Sequence, residues 1–412
     1  MSQVRSSTLG RMVERPAASE AARAAVIGAG TMGAGIAQVA LEGGWRITLH
    51  DPVPGATDRA IERIRQGLTR RAQKEGQADP ARSATNALLA LEVASSAARA
   101  MDGAHLAIEA IVEDLELKRQ LFSDLDDAAT PDAILATNTS ALSVSRIAEA
   151  VTRPERVVGL HFFNPAPLLP LVEVVAGRAS APWAVERAAG IVERWGKTAI
   201  RVADSPGFIV NRVNRPFTLE PLRLLRAGSA TIETIDEAIV AAGFPMGPFA
   251  LMDMIGIDVN LAAARGLFEA SGRPPRFRPS PIQEELVGAG RLGRKSGEGF
   301  YRYVDEKAVG PAQRFITRGR ATGASLGQES IAERVVLAIV NEAYRALGDG
   351  VAIEQDIDRA MRLGANHPFG PFEWARRTGV HEVTVMLDTL SDEDADTFRP
   401  VLPLLREARA GL

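Results

Sequence analysis

From Ala24 to Ile27 the chain is apolar, and a glycine-punctuated stretch follows, opening an apolar helix that runs to about Leu41. Gly43-Gly44 stops that helix and Trp45 to Leu49 reads as a second strand, which closes a strand–helix–strand unit. A basic helical stretch occupies roughly Thr57 to Lys74. Further apolar runs at Leu106–Ile111, Ile134–Ala136, Val157–Leu160 and Leu171–Val175 alternate with helical patterns or loops. Short apolar strands interleaved with helices predict an α/β, Rossmann-type domain: a mostly parallel sheet with helices on both faces.

The pattern changes after Pro206. Strand-like runs become scarce and helical periodicity dominates, as in Ile209–Leu225 and Ile232–Ala242, which puts a domain boundary near Ala203–Ser205. This helical half repeats itself. Pro245-Met-Gly-Pro-Phe249 recurs as Pro368-Phe-Gly-Pro-Phe372, Ile235-Asp236 recurs as Ile357-Asp358, and Arg212 with Glu220 recurs as Arg334 with Glu342. Matches at three places in one order predict an all-α domain present in two copies. The expected organisation is a loose arm over residues 1–20, a nucleotide-binding domain over 21–204, one helical copy over 205–303, a polar linker over 304–328 and a second copy over 329–412.

Composition narrows the class. With 46% hydrophobic and 24% charged residues over 412 positions, the chain has apolar mass for more than one core. A net charge of −3 gives no global attraction to nucleic acid or anionic lipid. No apolar run approaches the roughly 20 residues of a spanning helix, and the first 20 residues lack the apolar core of a secretion signal. There are no cysteines, which removes disulfides, thiolate metal sites and cysteine nucleophiles and fits a cytoplasmic protein. No metal site is expected.

Four motifs carry chemistry. Gly28-Ala-Gly30-Thr31-Met32-Gly33 follows a predicted strand and opens a helix. That context asks for one glycine at the tight turn, one where backbone approaches a pyrophosphate, and one where helix packs on sheet. The helix N-terminus then offers free N–H groups to the phosphates. Asp51, just past the second strand, stands where a carboxylate accepts ribose hydroxyls and repels a 2′-phosphate, so NAD is the expected cofactor. The second motif, Ala136-Thr-Asn138-Thr-Ser140, ends an apolar strand and points its amide and hydroxyls at the cleft beyond the sheet; a plain helix cap is the competing reading.

The third places His161 at the end of the run Val157-Val-Gly-Leu-His-Phe-Phe-Asn-Pro, with Glu173 in the middle of the next apolar run. A carboxylate in an apolar strand is costly unless paired, and an imidazole opposite it is a natural partner. Such a pair holds the ring in one tautomer, as a general base requires. Taken alone, a hydrogen-bonded core histidine is the competing reading. In the fourth, Asp204-Ser-Pro206-Gly207-Phe-Ile-Val-Asn211-Arg212, proline at a helix start turns Asn211 back toward the nucleotide domain, or leaves it on the surface.

These four motifs, in this order, resemble the L-3-hydroxyacyl-CoA dehydrogenase family, over roughly Arg23 to Tyr303 and, through the duplicated helical domain, to the C-terminus. The resemblance implies NAD-dependent oxidation of an L-3-hydroxyacyl-CoA to the 3-ketoacyl-CoA. It makes His161 the base, Glu173 its orienting partner, and Ser140 and Asn211 hydrogen-bond donors to the oxygen at C3. It assigns Glu113 and Lys118 to the cofactor site, together with Asn138, and offers Lys74 as a contact to CoA phosphates.

Leu169-Pro170 and Thr218 depart from the methionine-lysine and tyrosine common in the family. Longer members with the duplicated domain are assigned to 3-hydroxyadipyl-CoA, and a dicarboxylic substrate calls for a further cation, for which Arg212 and Arg215 are candidates. Glu333 replaces Asn211 in the second copy, so that copy reads as non-catalytic. The partner expected is the acyl-CoA alone, with the helical copies forming either a homodimer or an internal pseudo-dimer. The competing functions are a dehydrogenase of a free hydroxy or sugar acid and a non-enzymatic cofactor-binding descendant.

Overall fold

A computed structural model describes residues 22–315 and 326–411. The arm expected over residues 1–20 and the middle of the expected linker lie outside the described residues.

Eight strands form one sheet: β1 (Arg23–Ile27), β2 (Arg46–His50), β3 (Leu91–Val93), β4 (Leu106–Glu109), β5 (Ile134–Thr137), β6 (Val157–Phe162), β7 (Leu171–Ala176) and β8 (Thr198–Ala203). Their order is β3-β2-β1-β4-β5-β6-β7-β8. Every neighbouring pair is parallel except β6 and β7. The sheet alternates its side chains between two cores. Ala24 and Val26 of β1 enter one with helix Thr31–Glu42, while Ala25 and Ile27 enter another that continues into the helical half through Ile209 and Val335. The order reverses between β1 and β4, so a crevice opens beyond their carboxyl ends, the ligand position in open α/β sheets.

β3 and β8 carry little apolar signal of their own. β3 is a three-residue edge strand with two exposed positions, and β8 buries only Ala199, Ile200 and Val202, with Arg201 turned out to Glu186. The predicted helix over Ile209–Leu225 is two pieces, Val210–Val213 and Pro216–Ala227. Pro216 has no N–H to continue the ladder, and the Arg215 N–H bonds Arg212 O instead, a tighter turn. Pro206 does not start a helix. Ser205 to Phe208 form a turn, with Phe208 in the left-handed region (φ 48°), and helix begins only at Val210.

The repeat seen in sequence is a repeat of contacts. Asp236 accepts the N–H groups of Phe249 and Ala250, and Asp358 accepts those of Phe372 and Glu373. Each carboxylate lies where a side chain on Gly247 or Gly370 would sit, with Asp Cγ 2.3 and 2.2 Å from an ideal Cβ, which explains glycine within both Pro-x-Gly-Pro-Phe turns. The copies also meet reciprocally. Arg212 Nε donates to Glu342 at 2.8 Å, and Arg334 Nε donates to Glu220 at 2.6 Å. One residue pair is thus used twice with the partners exchanged, as a two-fold interface demands. In copy one, burial pushes the carboxyls of Asp236 and Asp253 up to about 6 each. Among the described residues no helix is long and apolar enough to cross a membrane.

Candidate active site

The glycine loop leaves β1 at Gly28 (φ 105°), whose N–H donates to His50 O at 2.8 Å. A side chain at Gly28 would stand 2.5 Å from Ala110 O on the neighbouring β4 edge, and one at Gly33 would stand 1.8 Å from Gly28 O. Both glycines are therefore fixed by close backbone approach. Gly30 differs: an ideal Cβ there has nothing within 4 Å. Gly30 is the N-cap of helix Thr31–Glu42 and supplies no side-chain cap, and Gly30 and Thr31 are both exposed. Asp51 accepts Ala29 N–H at 2.7 Å and Val53 N–H at 2.8 Å, which ties the carboxylate to the same loop. An uncapped helix N-terminus, a vacant position at Gly30 and a carboxylate at the end of β2 fit the pyrophosphate and ribose of NAD.

The antiparallel pairing of β6 and β7 sets His161 directly opposite Glu173. His161 Nδ1 lies 2.6 Å from Glu173 Oε2, with His161 5% and Glu173 0% exposed. The other oxygen, Oε1, accepts the N–H groups of Ile209 and Val210 at 3.0 and 2.9 Å. Glu173 therefore does two things at once: it orients the imidazole and it fixes where the Asn211 helix begins. Phe163 and Phe208 pack on the ring, with centroids at 4.5 and 5.7 Å. With Nδ1 donating to the carboxylate, Nε2 is left with a free lone pair.

Ser140 and Asn211 come together across the domain boundary: Asn211 Nδ2 donates to Ser140 O at 3.5 Å. Both line a cavity of about 400 Å³, with Met32, Glu113 and Asn138, against helix Ile257–Ala270. Asn138 joins this cavity to the dyad strand, because its Oδ1 accepts the N–H of Phe162 at 2.9 Å. Glu113 holds the Ser140 loop by accepting from Ser140 N–H (2.9 Å), Ala141 N–H (3.1 Å) and Thr139 Oγ1. Burial pushes its carboxyl up, but the Lys118 charge and these hydrogen bonds outweigh that and hold it below the usual carboxylate range.

Lys118 does not line the cleft as expected. It is 1% exposed, behind Glu113, and its ammonium is held by Glu109 at 2.6 Å and Glu113 at 3.1 Å. Glu109 and Thr139 are the residues that sequence reasoning missed. Glu109 is a fully buried carboxylate ending an apolar strand, the same signal that singled out Glu173, and it also accepts from Thr137 Oγ1. Lys74 stands exposed in the last turn of helix Ala56–Lys74 and meets none of these groups. Arg212 is not available as a substrate cation, because Glu342 and Asp349 hold its guanidinium. A larger cavity of about 600 Å³ lies between the helical copies, around Arg223, Arg334 and Glu220, and shares no lining residue with the cleft.

The sheet, glycine loop and Asp51 define a nicotinamide-dependent dehydrogenase, with a helical domain closing the cleft. The model of the 3-hydroxyacyl-CoA dehydrogenase NAD-binding domain matches residues 23–205, and that of the family's C-terminal domain matches twice, at 207–303 and 331–410. The chain belongs to the 3-hydroxyacyl-CoA dehydrogenase family and is an NAD-dependent oxidoreductase. It is 37% identical to 3-hydroxyadipyl-CoA dehydrogenase of Escherichia coli K12 over 93% of this chain and 96% of that one. It is 40% identical to the mitochondrial hydroxyacyl-coenzyme A dehydrogenase of Rattus norvegicus, over 68% of this chain and 90% of the relative. Among solved structures, 3-hydroxybutyryl-CoA dehydrogenase of E. coli K12 superposes with a TM-score of 0.84 at 36% identity, covering 95% of this chain and 98% of that one.

Proposed function

We propose that His161 Nε2 takes the proton of the C3 hydroxyl of an L-3-hydroxyacyl-CoA while Ser140 and Asn211 hold the C3 oxygen. NAD, when bound, supplies the acceptor for the hydrogen that leaves C3 with its electron pair. The observation that carries this reading is the His161–Glu173 contact across β6 and β7, on a strand whose Phe162 N–H is held by Asn138 of the cavity that Ser140 and Asn211 line. As charge builds on the C3 oxygen, donors already in place there stabilise it without reorganising. Glu173 keeps Nε2 as the acceptor and compensates the charge the ring gains.

The test is NADH formation from L-3-hydroxyacyl-CoA esters beside the corresponding free acids, with wild type and Ser140→Ala. Turnover of the esters, falling on the order of 100-fold in kcat for the variant, supports the reading. Turnover of free acids alone overturns it.

We further propose that the second helical copy takes the place of a partner subunit, making a pseudo-dimer within one chain. The exchanged Arg212–Glu342 and Arg334–Glu220 pairs support this. Light scattering on the full chain and on a truncation ending at Tyr303 tests it: a truncation that remains a well-behaved monomer contradicts it.

A further inference from the structure

The short helix that carries Asn211, Val210–Val213, is held at both ends. At its start Glu173 accepts the N–H groups of Ile209 and Val210. At its end Asn214 is the C-cap, its N–H bonded to Val210 O at 3.0 Å. The Asn214 side chain reaches the second helical copy, where His367 Nε2 donates to its Oδ1 at 2.8 Å. Burial pushes the His367 imidazole down to about 3, so at neutral pH the ring is uncharged. Its single ring proton then sits on Nε2, because Oδ1 only accepts. Phe217 and Phe244 pack around the ring, with centroids at 5.8 and 4.9 Å, and restrict its rotation.

This contact breaks the two-fold pattern of the copies. The Arg212–Glu342 pair is answered by Arg334–Glu220. Aligning the two Pro-x-Gly-Pro-Phe turns puts Phe244 in the place of His367, and aligning Arg212 with Arg334 puts Val336 in the place of Asn214. Both counterparts are buried and apolar. The polar pair therefore stands only where the helix bears Asn211; on the other side Glu333 replaces that asparagine. Apolar residues suffice to fill the mirrored positions, so filling space does not call for a hydrogen bond here. What a satisfied buried hydrogen bond adds to packing is one fixed distance and direction.

Resting on the proposed placement of the C3 oxygen at Asn211, we infer that His367 is a positioning residue for the reaction. By holding Asn214 it fixes the end of the turn from which Asn211 meets the C3 oxygen. The second helical copy thus takes part in catalysis without touching substrate, since His367 lines no part of the cavity that Ser140 and Asn211 share. A displacement of about 1 Å at a group that holds the reacting atoms costs up to about 100-fold in rate.

The test is kcat and KM, for an L-3-hydroxyacyl-CoA and for NAD, in wild type, His367→Phe, His367→Gln and Asn214→Ala. His367→Phe keeps a ring in place but removes the donor, and is expected to lose on the order of 10-fold in kcat with KM for NAD unchanged. His367→Gln puts an amide donor where Nε2 stands and is expected to return kcat to within about threefold of wild type. Asn214→Ala removes the acceptor from a half-buried position, so it reads the same loss even if His367→Phe does not fold. The double variant His367→Phe/Asn214→Ala should lose no more than either single one. Wild-type kcat in both single variants that break the pair, or a loss in His367→Gln equal to that in His367→Phe, overturns the inference and leaves the proposed reaction standing. Turnover of no CoA ester by wild type overturns the proposed reaction and this inference together.

Discussion

Glu173→Gln separates an orienting carboxylate from one that merely fills space. The wild-type carboxylate accepts three hydrogen bonds at zero exposure, one from His161 and two from the N–H groups of Ile209 and Val210. Glutamine keeps the volume but has one acceptor oxygen and one donor amide. If the oxygen serves the two backbone N–H groups, the amide faces Nδ1, and the ring proton moves to Nε2, the nitrogen that must accept. If the oxygen serves the ring, two buried N–H groups lose their acceptor, at about 1–3 kcal/mol each. The expected outcome is a loss of about 2–5 kcal/mol in stability together with a fall of about 10²–10⁴ in kcat. Because Glu173 lies away from the glycine loop, KM for NAD should stay near wild type. Initial NADH rates and urea unfolding read the two effects separately. A variant with kcat within about threefold of wild type would refute the orienting role.

Three further predictions probe the rest of the architecture. Gly30→Ala should fold with wild-type stability, because its Cβ meets nothing, yet raise KM for NAD; Gly33→Ala, driven into Gly28 O, should lose stability by several kcal/mol. For Asp236 and Asp253 the folded carboxyls titrate near 6, above the unfolded value of about 3.9, so their contribution is fully present at low pH and is lost as pH rises through about 6. Each should make the fold about 1 kcal/mol more stable at pH 5 than at pH 7, and the Asp236→Asn/Asp253→Asn double variant should flatten that part of the urea-midpoint profile. Glu342→Gln removes the buried charge shared by Arg212 and Arg276 and leaves an acceptor oxygen for only one of them, and should cost about 3–5 kcal/mol, whereas an effect below about 1 kcal/mol would show that the exchanged pairs hold little.

What was legible in the sequence was whatever had a local signature. The glycine loop, the strands with four or more buried residues and the doubled Pro-x-Gly-Pro-Phe turn are each set by a few neighbouring positions. Edge strands were not legible, because β3 and β8 show no continuous apolar run. At the site, the His161–Glu173 pairing could be read as a buried carboxylate in need of a partner. Its second task could not, since the N–H groups of Ile209 and Val210 reach Glu173 only once the chain has folded back across 36 residues or more. Lys118 shows the same limit: its position in the motif was clear, but which side of Glu113 it occupies depends on Glu109 from another strand. The two arginines proposed as substrate cations looked alike in sequence. Folding gives Arg212 to Glu342 of the second copy, 130 residues away, and leaves the Arg215 Nε without a partner among the described residues.

The central claim is that His161 is the base, and its most direct measurement is NADH formation from an L-3-hydroxyacyl-CoA, comparing wild type with His161→Gln. The predicted result is a fall of about 10²–10⁴ in kcat with unchanged NAD binding. Comparable turnover in both proteins would contradict it.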